Sequence, residues 1–393
     1  MKTAVRVLHV ITAFDRGGAE NHVADLIRHQ RDRGMEVSLA FLRGRGSLQS
    51  EMELLGAEVH SLGLRFYGDV RPLLRLRKLI ARGSFDLVHA HLPPGELYAR
   101  FALLGIPAAS LPLVISKHND CPFHSLPGER PLARWVAKRA SSMIAISEAV
   151  RRYMSERQIG ALPCKLVTIR YGIDVVPFER VQPESVVRLR HEWGVDGETL
   201  AIGFAGRLVA QKSIETLIRA FAIFHPQAQQ KSKLVIVGEG PLLPMLRRSA
   251  EECGIAQHVI WAGFREDIPT VMKAFDIFAL PSVFEGFGLV LVEAMAARRP
   301  VVATRVSAIP EVVAEGETGF LAPRRDPQAF ADGLLKLRDT ATRTRLGSAG
   351  YHRVLEHFAL NQMWQSTDAV YTDCLRGTSI DDKSRTPAAA SAA

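Results

Sequence analysis

Short apolar runs alternate with longer amphipathic stretches, and this alternation occurs twice along the chain. In the first half, runs rich in Val and Ile lie at 5–13, 35–42, 86–91, 113–117, 143–147 and 166–171. In the second half, similar runs lie at 200–205, 233–237, 259–262, 277–280 and 301–303. Strands that alternate with helices predict parallel sheets with helical crossovers. The repetition predicts an α/β protein with two doubly wound, Rossmann-like domains that face each other across a cleft.

A polar stretch at 176–198 separates the two series, and its prolines, Pro177 and Pro183, predict a boundary with little helix. We therefore expect an N-terminal domain at 1–175 and a C-terminal domain at 176–357. Residues 377–393 are rich in Ser, Thr, Ala and Asp, a composition typical of a disordered tail.

The excess of positive over negative charge lies entirely in the first half of the chain. The 393 residues carry a net charge of +9. Residues 1–180 contain 26 basic and 17 acidic side chains, which leaves 24 of each for residues 181–393. The sequence contains no run of 18 or more apolar residues, so no membrane-spanning helix is predicted. The four cysteines show no paired spacing; they are Cys121, Cys164, Cys253 and Cys374. These features favour a cytoplasmic protein.

Glycine-containing motifs follow the first strand of each predicted domain, at the sheet edge where α/β proteins bind ligands. Gly17-Gly18 allows a tight turn and places a helix N-terminus near a bound anion, although a plain turn is an alternative. A nicotinamide dinucleotide site is disfavoured, because GxGxxG and an acidic residue ending the second strand are both missing. In the second domain, Arg207 and Lys212 flank the loop after 200–205, and two cations there suit a diphosphate. Solvated side chains are the alternative.

The most specific motif is the segment 281–294, which follows the run 277–280. A helix is expected to begin near Gly288, so that the amides of Gly286, Phe287 and Gly288 can hold phosphate oxygens. Glu285 lies in the loop before this helix, where a carboxylate can bind sugar hydroxyls. Glu293 lies within the helix.

Taken in order, these motifs resemble the retaining glycosyltransferases of family 4, which have the GT-B fold. The sequence EGFGLVLVE, at 285–293, matches the E-x7-E element of that family, and the resemblance covers about residues 4–376. It implies that a sugar moves from a UDP- or GDP-sugar to an acceptor hydroxyl with its anomeric configuration kept. The implied acceptor is a glycan or a lipid-linked intermediate of cell-surface polysaccharide or glycolipid synthesis. The resemblance also implies that a helix at about 358–376 crosses back to the first domain.

The resemblance assigns roles to individual residues. Those implied in catalysis are Glu285, His118, Arg207 and Lys212. Those implied in donor binding are Gly17, Gly18, Gly206, Glu239, Gly240, Phe264, Gly286, Phe287, Gly288, Leu289 and Glu293. Asn119 and Asp120 are candidates for the acceptor side. Ser213 departs from the family, which usually has Gly after the motif Lys, and a serine N-cap is the expected substitute.

No metal and no cofactor are expected. The chain contains no Asp-x-Asp pair, and Arg207, Lys212 and helix dipoles can neutralise a diphosphate instead. His89 and His91 would face one side of a buried strand and suggest a metal site, but the sequence shows no third ligand beside them.

A basic helix is predicted from Pro72, with Arg71, Arg75, Lys78 and Arg82 on one face and Leu73, Leu76 and Ile80 on the opposite face. A solvated face is one interpretation. The other is peripheral binding to the anionic inner face of the cell membrane, where a lipid-linked acceptor would be met. Nucleic acid is not expected as a partner, because no binding fold or stacking aromatic array accompanies the charge.

Two further functions stay open: a GT-B nucleotide-sugar epimerase, which would convert the donor without an acceptor, and a catalytically silent GT-B binding protein.

Overall fold

The computed structural model describes residues 4–15, 17–66, 68–119, 129–157 and 165–383. The chain forms two compact units. The first comprises Met1–Arg170 and Met363–Ala393, and the second comprises Tyr171–Gln362. The sequence-based boundary at 175/176 lies slightly further along the chain.

The first unit is built on a parallel sheet of seven strands in the order β3-β2-β1-β4-β5-β6-β7. Its strands are β1 (Arg6–Ala13), β2 (Glu36–Arg43), β3 (Glu58–Ser61), β4 (Leu87–His91), β5 (Leu113–Lys117), β6 (Ser142–Ala145) and β7 (Lys165–Thr168). The strands β4 and β5 are buried along their whole length, as expected for a parallel sheet covered on both faces.

Helices connect these strands. They are α1 (Gly18–Asp32), α2 (Gln49–Leu54), α3 (Val70–Gly83), α4 (Pro93–Ala102), α5 (Glu129–Ala137) and α6 (Glu148–Glu156). The apolar residues of α1 recur at helical spacing, and Val23, Leu26 and Ile27 are buried.

The second unit contains a parallel sheet of six strands in the order β10-β9-β8-β11-β12-β13. Its strands are β8 (Leu200–Ala205), β9 (Ser232–Val237), β10 (Val259–Gly263), β11 (Ile277–Leu280), β12 (Val301–Thr304) and β13 (Gly319–Ala322). Its helices are α7 (Val176–Glu179), α8 (Pro183–Glu192), α9 (Ile214–Phe224), α10 (Leu243–Glu252), α11 (Ile268–Ala274), α12 (Leu289–Ala296), α13 (Ile309–Val312), α14 (Pro327–Leu335) and α15 (Thr340–His357). The last helix, α16 (Leu360–Lys383), begins in the second unit and continues into the first.

The prediction of little helix at 176–198 is wrong, because α7 and α8 lie there. Pro177 and Pro183 occupy first-turn positions, where a missing amide hydrogen costs nothing. The helix α16 continues to Lys383, which takes it seven residues into the segment 377–393 that was predicted as a disordered tail. The remainder of that predicted tail, 384–393, lies outside the described residues.

Candidate functional site

In the second unit, the loops after β8 and β9 are in direct backbone contact. The Leu208 amide donates to the Glu239 carbonyl at 2.9 Å. A side chain on Gly238 would overlap the Gly206 carbonyl, and one on Gly240 would overlap the Leu208 carbonyl. Only glycine allows this approach, so the two loops form one rigid surface of backbone. The structure thus brings together Gly206, Glu239 and Gly240, three of the residues implied in donor binding. Gly238 was not among the residues given a role.

Lys212 and Glu285 meet beside this surface. The Lys212 Nζ lies 2.5 Å from Oε1 of the buried Glu285. The Ser282 hydroxyl donates to the same oxygen at 2.6 Å. The carboxylate is therefore held by one cation and one hydroxyl at the end of β11. Ser282 is a further site residue, and an ordinary serine next to a proline gives no sequence signal of that role.

The helix α12 begins where the sequence predicts. Gly288 is its N-cap and has a φ of 86°, a left-handed conformation that favours glycine. Phe287 is buried and stacks edge-on against Tyr171, with ring centroids 5.4 Å apart, so its side chain belongs to the core and only its amide can serve a ligand. Glu293 lies one turn into α12 and is half-buried. Leu289 is the first residue of the helix.

The two remaining donor-side candidates are exposed. Arg207 follows β8, and Phe264 follows β10 with 56% of its surface exposed. The strands β10, β9, β8 and β11 are neighbours in a parallel sheet. The candidate residues of this unit therefore all lie on the side of the sheet where these strands have their carboxyl ends. The candidate residues here supply two cations, three carboxylates, a surface of backbone and an exposed aromatic ring.

In the first unit, α1 starts as predicted after β1. Gly17 is the N-cap of α1 in an extended conformation, and Gly18 is the first helical residue. A side chain on Gly17 would collide with the Glu20 carboxylate, which already brings negative charge to this helix N-terminus. His118 and Asn119 follow β5, and His118 is buried. Asp120 lies outside the described residues.

His118 belongs to a buried group of histidines. Its Nε2 lies 3.1 Å from Nδ1 of His91, and the Nε2 of His91 lies 3.0 Å from Nδ1 of His9. Burial lowers the pKa of His118 to about 3, and the positive charge of Lys117 adds to the effect. Burial likewise lowers the pKa of His9 to about 4 and that of His91 well below 6.5. These imidazoles are therefore neutral at pH 7.

The expectation that no third ligand accompanies His89 and His91 is wrong. His9 joins them, and one ring nitrogen of each lies within 4.8 Å of the others. The sequence hides this grouping, because β1 and β4 are adjacent strands but distant segments. Every ring nitrogen of these three histidines is engaged in a hydrogen bond to a side chain. Binding a metal would require several of these bonds to be exchanged.

The basic helix has the predicted basic face, because Arg71, Arg75, Lys78 and Arg82 are all exposed, but it starts two residues earlier than predicted. It begins at Val70 with Asp69 as N-cap, and the buried residues are Pro72, Leu76 and Ile80, whereas Leu73 is only half-buried. Two of the four predicted cations are engaged. Arg71 forms a two-pronged ion pair with Asp69, and Arg75 donates to the Leu62 carbonyl at 2.7 Å.

The outer surface of α3 still carries charge together with apolar side chains. Lys78 and Arg82 are exposed. Val70 and Leu74 are 62% and 63% exposed. Over the part of the chain that the structure describes, no helix is both long and apolar enough to span a bilayer.

Comparisons with known proteins agree with this arrangement. Residues 16–176 match the profile of "Glycosyltransferase Family 4", and residues 187–353 match that of "Glycosyl transferases group 1". A GDP-mannose-dependent alpha-(1-6)-phosphatidylinositol monomannoside mannosyltransferase of Mycobacterium tuberculosis is 29% identical over 97% of this chain and 100% of its own. A D-inositol 3-phosphate glycosyltransferase of Corynebacterium glutamicum is 34% identical over 56% of this chain, and the matched segment spans only 54% of that relative.

Among solved structures, Anabaena Alr3699/HepE in complex with UDP and glucose superposes with a TM-score of 0.83 at 24% identity. The match covers 94% of this chain and 100% of that one. The sucrose-phosphate synthase of Thermosynechococcus elongatus gives a TM-score of 0.79 at 19% identity.

Two parallel, Rossmann-like units and these structural matches define a protein of the GT-B fold. Because the two family profiles together cover most of the sequence, the chain belongs to glycosyltransferase family 4.

Proposed function

We propose that the protein is a retaining glycosyltransferase that transfers a sugar from a nucleoside-diphosphate sugar to an acceptor hydroxyl. The observation that carries this proposal is the Lys212–Glu285–Ser282 group beside the glycine surface of the second unit. A carboxylate fixed by two partners can bind sugar hydroxyls, and the adjacent cation and amides can hold phosphate.

The proposed roles follow from the chemistry of each group. Arg207 and Lys212 neutralise the diphosphate as it leaves, and the amides at the start of α12 hold its oxygens. Glu293 binds the ribose, and Phe264 lines the nucleotide side. A bond forms between the acceptor oxygen and the anomeric carbon while the bond from that carbon to the phosphate oxygen breaks. The proton of the acceptor hydroxyl passes to the departing phosphate.

We propose GDP-mannose as the first donor to test, because the relative that matches over its full length is named for that donor. The proposed acceptor is a glycan or a lipid-linked intermediate. Thermal shift against a panel of UDP-, GDP- and ADP-sugars identifies the donor as the one that raises the Tm most. NMR of the transferred product should then show the same anomeric configuration as the donor. An inverted product would overturn the retaining mechanism.

Two controls separate this proposal from its alternatives. Incubating the donor without an acceptor should leave the sugar unchanged, whereas an epimerase would convert it. In the presence of an extract that contains the acceptor, the enzyme should consume the donor. A silent binding protein would show a shift in its own Tm on binding the donor but would transfer nothing.

Metal independence is part of the proposal, because Arg207 and Lys212 supply the positive charge that a divalent ion supplies elsewhere. Activity should persist in EDTA. Loss of activity that Mg²⁺ or Mn²⁺ restores would contradict it.

We also propose that α3 binds anionic membranes. The exposed Lys78 and Arg82, next to the exposed Val70 and Leu74, combine charge with apolar surface in the way that suits an interfacial helix.

A further inference from the structure

A continuous line of side-chain hydrogen bonds connects His118 to the last helix. His118 contacts His91, and His91 contacts His9. The Nε2 of His9 lies 2.9 Å from Oε1 of Gln30 on α1. The Gln30 Nε2 donates to the hydroxyl of Tyr371 on α16 at 3.2 Å. All five side chains are buried, so no bulk water competes with these bonds.

From Tyr371 the line of hydrogen bonds continues to His89 and Ser116. The Tyr371 hydroxyl lies 2.7 Å from Nδ1 of His89, and the Nε2 of His89 lies 2.8 Å from the Ser116 hydroxyl. A hydroxyl that accepts from Gln30 can donate to His89. The orientation of the Gln30 amide is thereby tied to Tyr371.

The orientation of that amide dictates the tautomer of every histidine in the line. A neutral imidazole has one N–H and one acceptor nitrogen. Because Oε1 of Gln30 is an acceptor, His9 must carry its proton on Nε2 and accept at Nδ1. His91 then donates from Nε2 and accepts at Nδ1, and His118 donates from Nε2. Reversing the line would require the Gln30 amide to turn over and every bond to reverse with it.

We propose that Tyr371 and Gln30 are positioning residues that hold His118 in the Nε2–H tautomer, with Nδ1 as its hydrogen-bond acceptor. At the end of β5, this Nδ1 would accept a hydrogen bond from a hydroxyl of the donor sugar or of the glycosyl acceptor. This catalytic consequence rests on the proposed function. The tautomer itself does not. The helix α16 thus determines which ring nitrogen of His118 carries the proton.

The tautomer can be measured without any substrate. Long-range ¹H–¹⁵N correlation spectra of the full chain labelled with ¹⁵N-histidine distinguish protonated from unprotonated ring nitrogens, and H118N assigns the His118 signals. At pH 7 we expect His118 to be protonated at Nε2 alone. In Y371F the amide nitrogen of Gln30 loses its acceptor, so the amide can turn and His118 should show both tautomers.

The matched control is Y98F, which removes the hydroxyl of another buried tyrosine in the same unit. Tyr98 donates to the Asp69 carbonyl at 2.9 Å and is outside the line. Y98F should leave the His118 tautomer unchanged. A His118 protonated at Nδ1 in the wild type, or a tautomer that Y371F does not alter, would overturn the proposal. Because Phe keeps the ring that packs edge-on against His89, Y371F tests the hydroxyl alone.

Kinetics test whether the tautomer matters for transfer. With the donor found by the panel, Y371F should lower kcat about fivefold and leave the KM for the donor unchanged. This factor corresponds to the typical contribution of one neutral hydrogen bond. In an H118A background, Y371F should cause no further loss, because its target is gone. An equal loss in both backgrounds would show that Tyr371 acts on the fold rather than through His118. If no donor gives transfer, the proposed function fails while the spectra still decide the tautomer.

Discussion

One oxygen of Glu285 receives both the Lys212 ammonium and the Ser282 hydroxyl, so its orientation is fixed before any donor binds. E285Q keeps the size and the acceptor oxygen and removes only the charge. If this carboxylate acts on the transferred sugar, kcat should fall by about 10²–10³, the loss typical of a preorganised electrostatic group. The Tm shift caused by the free nucleotide should persist.

The control for E285Q is E215Q on α9, which neutralises an exposed carboxylate paired with Arg219. It should leave kcat within twofold of the wild type. If the kcat of E285Q also stays within twofold of the wild-type value, Glu285 has no part in the mechanism.

Ser213 is strained by its backbone rather than by its side chain. It caps α9 at a φ of 47°, where a Cβ is disfavoured, and its hydroxyl lies 2.9 Å from that of Thr216 instead of accepting an amide hydrogen. The expected serine N-cap bond is therefore missing, and the family's usual glycine has a physical reason here. S213G should raise the free energy of unfolding by about 0.5–1 kcal/mol, after the lost hydroxyl contact is allowed for.

The same substitution at an ordinary helical position gives the opposite sign. S185G in α8 should lower stability by about 0.5 kcal/mol, because glycine weakens a helix. Urea unfolding of both variants measures the difference, and an S213G variant no more stable than the wild type would contradict the strain argument.

At the scale of elements, α3 exposes all four of its predicted cations, but two of them have partners within the protein. Because Arg71 and Arg75 have partners within the protein, Lys78 and Arg82 carry the proposed attraction to lipid. Replacing both by Gln should weaken binding to anionic liposomes about 30-fold at low salt, from about 1 kcal/mol for each charge. The control replaces Arg247 and Arg248 on α10 by Gln, which removes the same charge from the second unit. Equal losses in both variants would indicate bulk charge rather than α3.

The elements that sequence analysis predicted are those with a strong local signal. Buried runs such as β8 and β11 were predicted to the residue, because continuous apolar runs of Leu, Ile, Ala and Phe mark a strand covered on both faces. The edge strands β3 and β13 were missed, since each has only four residues and is partly exposed. The prolines of α7 and α8 favoured a linker in the sequence, because a proline at a helix start cannot be told from one in a linker.

The candidate site divides in the same way. Glu285 and Lys212 belong to short motifs and could be predicted, whereas Gln30 and Tyr371 could not. Their contact joins residues 341 positions apart, and each is an ordinary polar residue within a helix. Only the return of α16 to the first unit brings them together.

For the molecule as a whole, that return means that the first unit is completed by the end of the chain. Asp368 lies 2.9 Å from His29, and Asp373 lies 2.8 Å from Lys165. Tyr371 lies between these two pairs on α16 and reaches the histidine line. The first unit therefore gathers both ends of the described chain around a group of buried, neutral histidines.

This burial predicts that the protein loses stability in mild acid. His9, His22, His89, His91 and His118 all have a pKa lowered by burial, to about 4 for His9 and about 3 for His118. In the unfolded chain these groups take up protons below their ordinary pKa of 6.5. Between pH 6.5 and 5 the unfolded state thus binds more protons than the native state, so stability falls as the pH falls.

Each such histidine contributes up to about 1.4 kcal/mol per pH unit, so the slope of several together is steep. H22Q should reduce the slope of unfolding free energy against pH by about one such contribution. H352Q, which changes an exposed histidine of the second unit outside the buried group, provides the comparison. Urea unfolding at pH 7, 6 and 5 provides the measurement. A wild-type stability that stays level over this range would mean that these histidines take up protons in the native state as readily as in the unfolded state, which would contradict the lowering of their pKa by burial.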